Sequence, residues 1–257
     1  MTEFERYLEA AVEMARGAGE IQLRYFRSNN LQSDTKLNAF DVVTIADKES
    51  ELFIKSYIAE HFPDHGIISE ESGADHSERD WRWVVDPLDG TTNFNNGLPV
   101  FSVSIALEYK GEAKIGVVYA PYLGELFHAV KNQGAFLNGK PIRCSEKSNL
   151  DAAVVATGMP YDMAVNPDNN FKEIERVVCR VRGTRRLGSA AIDLCYTAAG
   201  FYDAYWELNL NRWDVAAGKL IAKEAGAVVE SIREDRNYSF LVSAPALLDS
   251  FRKLILP

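Results

Sequence analysis

Trp83-Val84-Val85-Asp86-Pro87-Leu88-Asp89-Gly90-Thr91-Thr92-Asn93-Phe94 is the most informative stretch of this 257-residue chain. Trp83, Val84 and Val85 read as a short apolar strand, and two carboxylates three positions apart follow at its end. Pro87 stiffens the turn, Gly90 leaves the backbone accessible, and the hydroxyls of Thr91 and Thr92 follow at once. Hard divalent cations prefer such oxygen ligands, and magnesium takes one or two carboxylates while keeping waters or substrate oxygens. Free N–H groups at a turn or helix start after Gly90 suit a phosphate. An Asp-Gly turn alone is commonplace; the full string behind an apolar strand is not.

Upstream, Phe4, Leu8, Ala11, Ala15 and Ala18 recur at steps of three and four and predict an amphipathic opening helix. Ser28 to Asn38 reads as a loop or irregular hairpin. Thr44-Ile45-Ala46-Asp47 has the form of a capping box, with Leu52, Phe53, Tyr57 and Ile58 as the apolar face behind it and Pro63 as the stop. Downstream, Phe101, Val103, Ile105, Leu107 and Tyr109 alternate with smaller or polar residues, a strand pattern. Ile115 to Tyr119 and Glu125 to Val130 suggest a hairpin pair, and Asn138-Gly139 a tight turn. The first half therefore reads as two helices and a largely antiparallel sheet.

From Leu150 the chain alternates. Ala153 to Ala156 and Ala204 to Trp206 read as strands, and Ala190 to Ala199 and Val215 to Ala225 as helices. A last strand at Phe240 to Val242 precedes a terminal helix from Pro245. With no repeat or flexible linker, the expectation is one layered α+β domain over 1–257, with subdomains near 1–149 and 150–257.

The formal net charge of −9 disfavours nonspecific attraction to nucleic acid or anionic lipid, and no apolar run reaches membrane-spanning length. Cys144, Cys179 and Cys195 form neither a disulfide framework nor a zinc site, which fits a reducing cytoplasm. Met1 to Arg16 lacks the pattern of a signal peptide. The expectation is a cytoplasmic protein with no membrane partner.

Other acids gain meaning beside the central stretch. Glu70-Glu71 follows the apolar Ile67-Ile68, and Asp214 sits where a helix begins. Taken singly, Glu70 reads as solvated surface, and Asp47 and Asp214 as caps. Together, Asp41-Val42-Val43-Thr44-x-x-Asp47, Glu70-Glu71-Ser72, the Trp83 to Phe94 string, Gly188-Ser189-Ala190-Ala191 and Trp213-Asp214-x-Ala216-Ala217-Gly218 occur in order. This series resembles the signature blocks of the inositol monophosphatase family and spans essentially the whole chain.

The resemblance implies a layered αβαβα sandwich of the inositol monophosphatase and fructose-1,6-bisphosphatase type, usually homodimeric, with two or three Mg2+ ions between the halves. It implies that Glu70, Asp86 and the Leu88 carbonyl hold one metal, that Asp86, Asp89 and Asp214 hold a second, and that Glu70 serves a weaker third. Mn2+ would substitute, and Li+ and Ca2+ would inhibit. Thr91, linked to Asp47, would orient a metal-activated water and help to deprotonate it, and the Gly90 and Thr91 amides would bind the phosphate. Arg185, Gly188, Ser189, Ala190 and Glu207 would receive the alcohol portion, with Asp89 and Asp214 also facing substrate. Lys36 lies at a matching spacing before Asp41. The implied activity is hydrolysis of a small polyol or sugar phosphate, foremost myo-inositol 1-phosphate.

Metals neutralise the phosphate charge that repels a nucleophile, so no Cys, His or Ser nucleophile is required. His61, His65, His76 and His128 lie outside the signature blocks and read as surface or structural residues. Cys179-x5-Arg185 has thiolate-phosphatase spacing, but bulky residues intervene and Cys179 reads as the buried end of a helix made apolar by Ile174, Val177 and Val178. Asp86 and Asp89 are one residue too far apart for an aspartyl phosphatase. Fructose-1,6-bisphosphatase and histidinol-phosphatase activities are alternatives on the same fold. Thr92-Asn93 leans away from the 3′-nucleotide branch, whereas Asn211 and the Glu230 to Asn237 segment depart from the family pattern. A different class of role is a binding partner in transcription or ribosome assembly, with Arg180, Arg182, Arg185 and Arg186 as a basic patch for an acidic partner or nucleic acid.

Overall fold

The computed structural model describes residues 2–35, 42–75 and 79–256; Lys36, Asp41 and His76 lie outside them. The chain opens with α1 (Glu3–Tyr25) and an antiparallel ribbon of β1 (Ser33–Thr35) and β2 (Val42–Thr44). In α2 (Ile45–His61), Thr44 and Asp47 exchange the two bonds of the expected capping box. Then come β3 (Gly66–Ser69), β4 (Gly73–Ala74), β5 (Trp81–Asp89), the short α3 (Thr91–Asn95), β6 (Ser102–Tyr109) and β7 (Glu112–Ala120). The first half closes with β8 (Glu125–Val130), β9 (Ala135–Leu137) and β10 (Lys140–Ile142). The second runs β11 (Val154–Thr157), α4 (Phe171–Val178), β12 (Gly183–Arg185), α5 (Ala190–Ala198), β13 (Ala204–Leu210), α6 (Arg212–Glu224), β14 (Val228–Arg233), β15 (Tyr238–Ser243) and α7 (Leu248–Ile255).

One sheet has the order β10-β9-β8-β7-β6-β5-β3-β4 and is antiparallel except where β3 lies beside β5. The other has the order β12-β11-β13-β15-β14, parallel across β12, β11 and β13 and antiparallel beyond. Helices α1 and α2 cover one face of the large sheet, with Met14, Ile54, Trp83 and Ile105 in that core. Helices α5 and α6 lie between the sheets, where Leu194 and Ile221 meet Val84, Val118 and Phe240. Helices α4 and α7 cover the outer face of the second sheet around Trp206, Leu241 and Phe251. The layers run α, β, α, β, α, the sandwich the resemblance implied.

The alternation along β6 reflects two helix layers rather than one wet face. Val103, Ile105 and Leu107 pack towards α1 and α2, while Ala106 belongs to the core between the sheets. Small residues there let α6 approach closely: a Cβ on Gly116 would lie 2.7 Å from the Ala217 carbonyl oxygen.

Leu52 is exposed, because the buried stripe of α2 runs through Ile54 and Ile58, four residues apart, and a residue two places earlier faces away. Cys179 is exposed just past α4, whose buried side is Val177; the helix ends before the thiol can turn inward. Strands β12 and β14 carry no strand pattern that their own sequence makes plain. Both are edge strands whose pairing is decided by a neighbour more than by their own pattern. Among the described residues no helix is long and apolar enough to cross a membrane.

Candidate active site

Asp86 and Asp89 occupy the end of β5 near the middle of the large sheet. Parallel pairing of Ser69 with Val85 brings the next residue, Glu70, beside Asp86. In a regular strand, residues three apart point to opposite faces. Here Asp86 opposes Ser104 and Asp89 opposes Ser102, so β5 carries an extra residue, and this irregularity between the two aspartates lets both reach one cleft. The bulge is braced: the Pro87 carbonyl accepts from Gln22 Nε2 at 2.7 Å, and the Leu88 side chain is buried with Ala46, Phe94 and Phe101.

Gly90 turns the chain with φ +88°, and a Cβ there would sit 2.9 Å from the Val100 carbonyl oxygen. Helix α3 begins at Thr91, and Asn93 Nδ2 donates to the Val100 carbonyl (2.8 Å) and the Leu187 carbonyl (2.7 Å). This side chain ties the first half of the cleft to the Gly188-Ser189-Ala190 wall. Asp214 arrives from the second half in the first turn of α6, where its Oδ2 accepts the Asn211 N–H at 2.7 Å. The cleft, about 520 Å³, is lined by Glu70, Asp86, Asp89 and Asp214, with Gly90 and Thr91 on its rim, a size that suits a small organic ligand.

The acids crowd one another in poorly hydrated surroundings. Burial pushes Asp86 well above the usual carboxylate range, and the charges of Glu70, Asp89 and Asp214 add to it. Burial likewise raises Asp214, followed by Glu70 and Asp89. Asp89 is raised to about 6 by burial, against hydrogen bonds from the Ser189 hydroxyl and the Ala191 N–H. No cation is among the leading influences on any of the three. Among the described residues no three His, Cys, Asp or Glu side chains close on one point as a finished cage. An open arc of hard oxygens fits magnesium, which keeps waters and substrate oxygens in its shell, better than a metal needing an all-protein cage.

A pH dependence follows. An acid whose folded pKa is raised stabilises the fold fully below its unfolded value of 3.8 and loses that contribution as pH rises through about 6 for Asp89. Metal binding needs the deprotonated carboxylates. The gain in melting temperature on adding Mg2+ should therefore grow as pH climbs through this window; calorimetry with and without Mg2+ checks it, and a gain that shrinks with rising pH would contradict the fit.

Behind the rim, Thr91 Oγ1 lies 3.0 Å from Asp47 Oδ1 and 2.9 Å from the Leu88 carbonyl oxygen. Asp47 is buried, its other oxygen accepts from the Thr44 N–H and hydroxyl, and burial raises it to about 7 against those bonds. Across the cleft, Glu207 on β13 accepts from the Tyr205 hydroxyl, and burial raises it to about 7. A Cβ on Gly158 would fall 1.8 Å from Glu207 Oε1, so only glycine leaves this carboxylate its place. Gly188, Ser189 and Ala190 line the cleft, and so does Arg186; Arg185 is exposed and not among the lining residues, with Nη1 donating to the Thr184 carbonyl.

Some contributors were missed in the sequence. Glu51 accepts from the Ser69 hydroxyl (2.8 Å) and the Glu71 N–H (3.1 Å), bracing the backbone on both sides of Glu70. Asp193 is buried in α5 with Oδ1 unpartnered among the described atoms, and burial, then Glu207 and Asp89, raises its pKa well above the ordinary range. An acid in a first helical turn reads as helix electrostatics, so no local signal marks it. Arg236 clamps the loop that supplies Met159 and Tyr161 to the cleft, bonding both oxygens of Asp162 (2.9 and 2.8 Å) and the Asp168 side chain, where Arg233 also pairs. The atypical Glu230 to Asn237 segment thus includes the anchor of one cleft wall.

Comparison with known proteins follows the same lines. The model of the inositol monophosphatase family matches residues 3–251. A relative named Nus factor SuhB from Pasteurella multocida is 41% identical over 97% of this chain and 96% of its own. Among solved structures, the extragenic suppressor protein suhB from Bartonella henselae is 37% identical with a TM-score of 0.90, covering 98% of each chain. The inositol monophosphatase from Anabaena (Nostoc) sp. is 34% identical with a TM-score of 0.89, covering 99% of this chain and 97% of its own.

Proposed function

This chain belongs to the inositol monophosphatase family, and we propose that it is a magnesium-dependent phosphomonoesterase acting on a small polyol or sugar phosphate, foremost myo-inositol 1-phosphate. The observation that carries the reading is the convergence of Glu70, Asp86, Asp89 and Asp214, buried or half-buried, beside the Gly90–Thr91 turn. Glu70, Asp86 and the Leu88 carbonyl would hold one metal; Asp86, Asp89 and Asp214 would hold a second, and Glu70 a weaker third. When bound, these ions supply charge neutralisation at the phosphate and acidity to water.

The chain's own groups do the rest. The N–H groups of Gly90 and Thr91 bind phosphate oxygens. The Thr91 hydroxyl, held by Asp47, orients the attacking water and passes its proton inward. Glu207 accepts from hydroxyls of the alcohol, while Gly188, Ser189 and Ala190 shape the wall, with Arg186 rather than Arg185 beside them. A cytoplasmic homodimer belongs to the same reading.

The test is phosphate release from a panel of esters. Inositol 1-phosphate should give the highest kcat/KM, ahead of fructose 1,6-bisphosphate and histidinol phosphate, with dependence on Mg2+ and inhibition by Li+ and Ca2+. Absence of Mg2+-dependent release from every ester would overturn the proposal. Gly158→Ala should displace the Glu207 carboxylate and lower kcat/KM for the polyol ester by roughly tenfold or more, as expected when a substrate hydroxyl loses its partner, while a small ester such as p-nitrophenyl phosphate is spared; equal loss on both would remove Glu207 from substrate recognition.

The name Nus factor carried by relatives favours a second reading, a binding role beside or instead of catalysis, for which the exposed Arg180 and Arg182 offer basic surface. Such a role would survive Asp89→Asn, whereas phosphate release would not.

A further inference from the structure

A second cavity, about 340 Å³, lies against α6 beside the turn between β6 and β7, and it shares no lining residue with the catalytic cleft. Arg212, Val215, Lys219 and Lys223 recur at helical spacing along its α6 wall. The acids around it are engaged. Glu108 pairs with Arg212, and Glu112 with Lys114 and Lys131. Glu224 accepts the Asn132 and Gly134 N–H groups at 2.8 and 3.0 Å.

Lys219 and Lys223 remain. Among the described residues neither has a carboxylate within ion-pairing distance. Lys219 is half-buried, its ammonium 5.4 Å from the Tyr238 ring centre and 5.5 Å from that of Phe240. Aromatic faces offset part of the cost of drying a cation. They accept no conventional hydrogen bond, and an ammonium carries three donors. Lys223, one turn further along, adds like charge; burial and that neighbour together lower the Lys219 pKa. In a protein of net charge −9, two lysines without an ion pair among the described residues thus face one concave, partly apolar site. An anion with several acceptor oxygens supplies what the site lacks.

We propose that this pocket is a second anion site, independent of the catalytic reading, which takes a phosphate group between Lys219 and Lys223. The group arrives as free phosphate or on a small ester whose body meets Val215, Leu220 and the Tyr238 ring.

Titration calorimetry of the full chain in EDTA, where the acids of the catalytic cleft repel anions, tests it with two probes, inorganic phosphate and glycerol 2-phosphate. Each should bind at one saturable site. Lys219→Met and, on the exposed side, Lys223→Met should each weaken binding by roughly tenfold, the scale of one charge-assisted contact. Lys219→Arg keeps the charge and should stay within about threefold of the parent, since the guanidinium also donates to phosphate. Tighter binding of the ester points to a carried phosphate, and tighter binding of phosphate to the free ion. No binding of either probe at millimolar concentration, or binding that both Met variants leave unchanged, overturns the proposal.

Discussion

Asp89→Asn should lower turnover of every phosphate ester by about three orders of magnitude or more. A metal-held transition state gains several kcal/mol from charge stabilisation, and each 1.36 kcal/mol is a factor of ten. The amide keeps an oxygen for the Ser189 hydroxyl and the Ala191 N–H, so the local bonds survive while the charge goes. Stability should move the other way in the absence of metal. After burial and the Glu70 charge, Asp89 adds to the raised pKa of both Asp86 and Asp214, a repulsion that its removal relieves. Removing it should leave the metal-free melting temperature equal or higher, bring both pKa values down, and abolish the gain on adding Mg2+. Activity assays beside calorimetry separate this pattern from misfolding, which would lower both. Full Mg2+-dependent activity in this variant would refute the ligand assignment.

The second large effect is expected at the pair behind the rim. Thr91→Ala removes the hydroxyl that faces Asp47 Oδ1 and should cut kcat by roughly 10²–10⁴-fold, the range for a positioned proton-transfer group. Mg2+ binding and melting temperature should change little, because the Thr44–Asp47 cap stays intact. Thr91→Ser should restore most of the rate. Asp47→Asn should match the kinetic loss, yet also cost about 1 kcal/mol through the damaged cap. Asp47 must be deprotonated to accept the proton, so the parent rate should rise with pH along a limb at or below about 7, since nearby cations favour the charged form. A rate loss confined to KM in Thr91→Ala would remove the relay from the mechanism.

Much of this protein was legible in short windows of sequence. The opening helix, the Thr44 capping box, the β5 strand with acids at its end and the Asn138-Gly139 turn each depend on a few consecutive residues. Their periodicity, caps and positive φ angles are local properties. What failed locally did so for a nonlocal reason: Leu52 is apolar but turned to solvent, and β12 and β14 are edges defined by their partners.

The chemical vocabulary of the site is local: paired carboxylates, a glycine turn and hydroxyls after an apolar strand stand within nine consecutive residues, Asp86 to Phe94. Which residues meet there depends on packing between segments far apart in the chain. The β3–β5 register brings Glu70 to Asp86, and the extra residue between Asp86 and Asp89 brings both into one cleft. The layer of α6 between the sheets delivers Asp214 from far along the chain. The same packing puts Arg186 in the cleft and makes Gly158 the seat of Glu207. The raised pKa values belong to this level as well. They arise first from burial away from water and then from like charges held together there, and an unfolded chain keeps its carboxylates hydrated and apart.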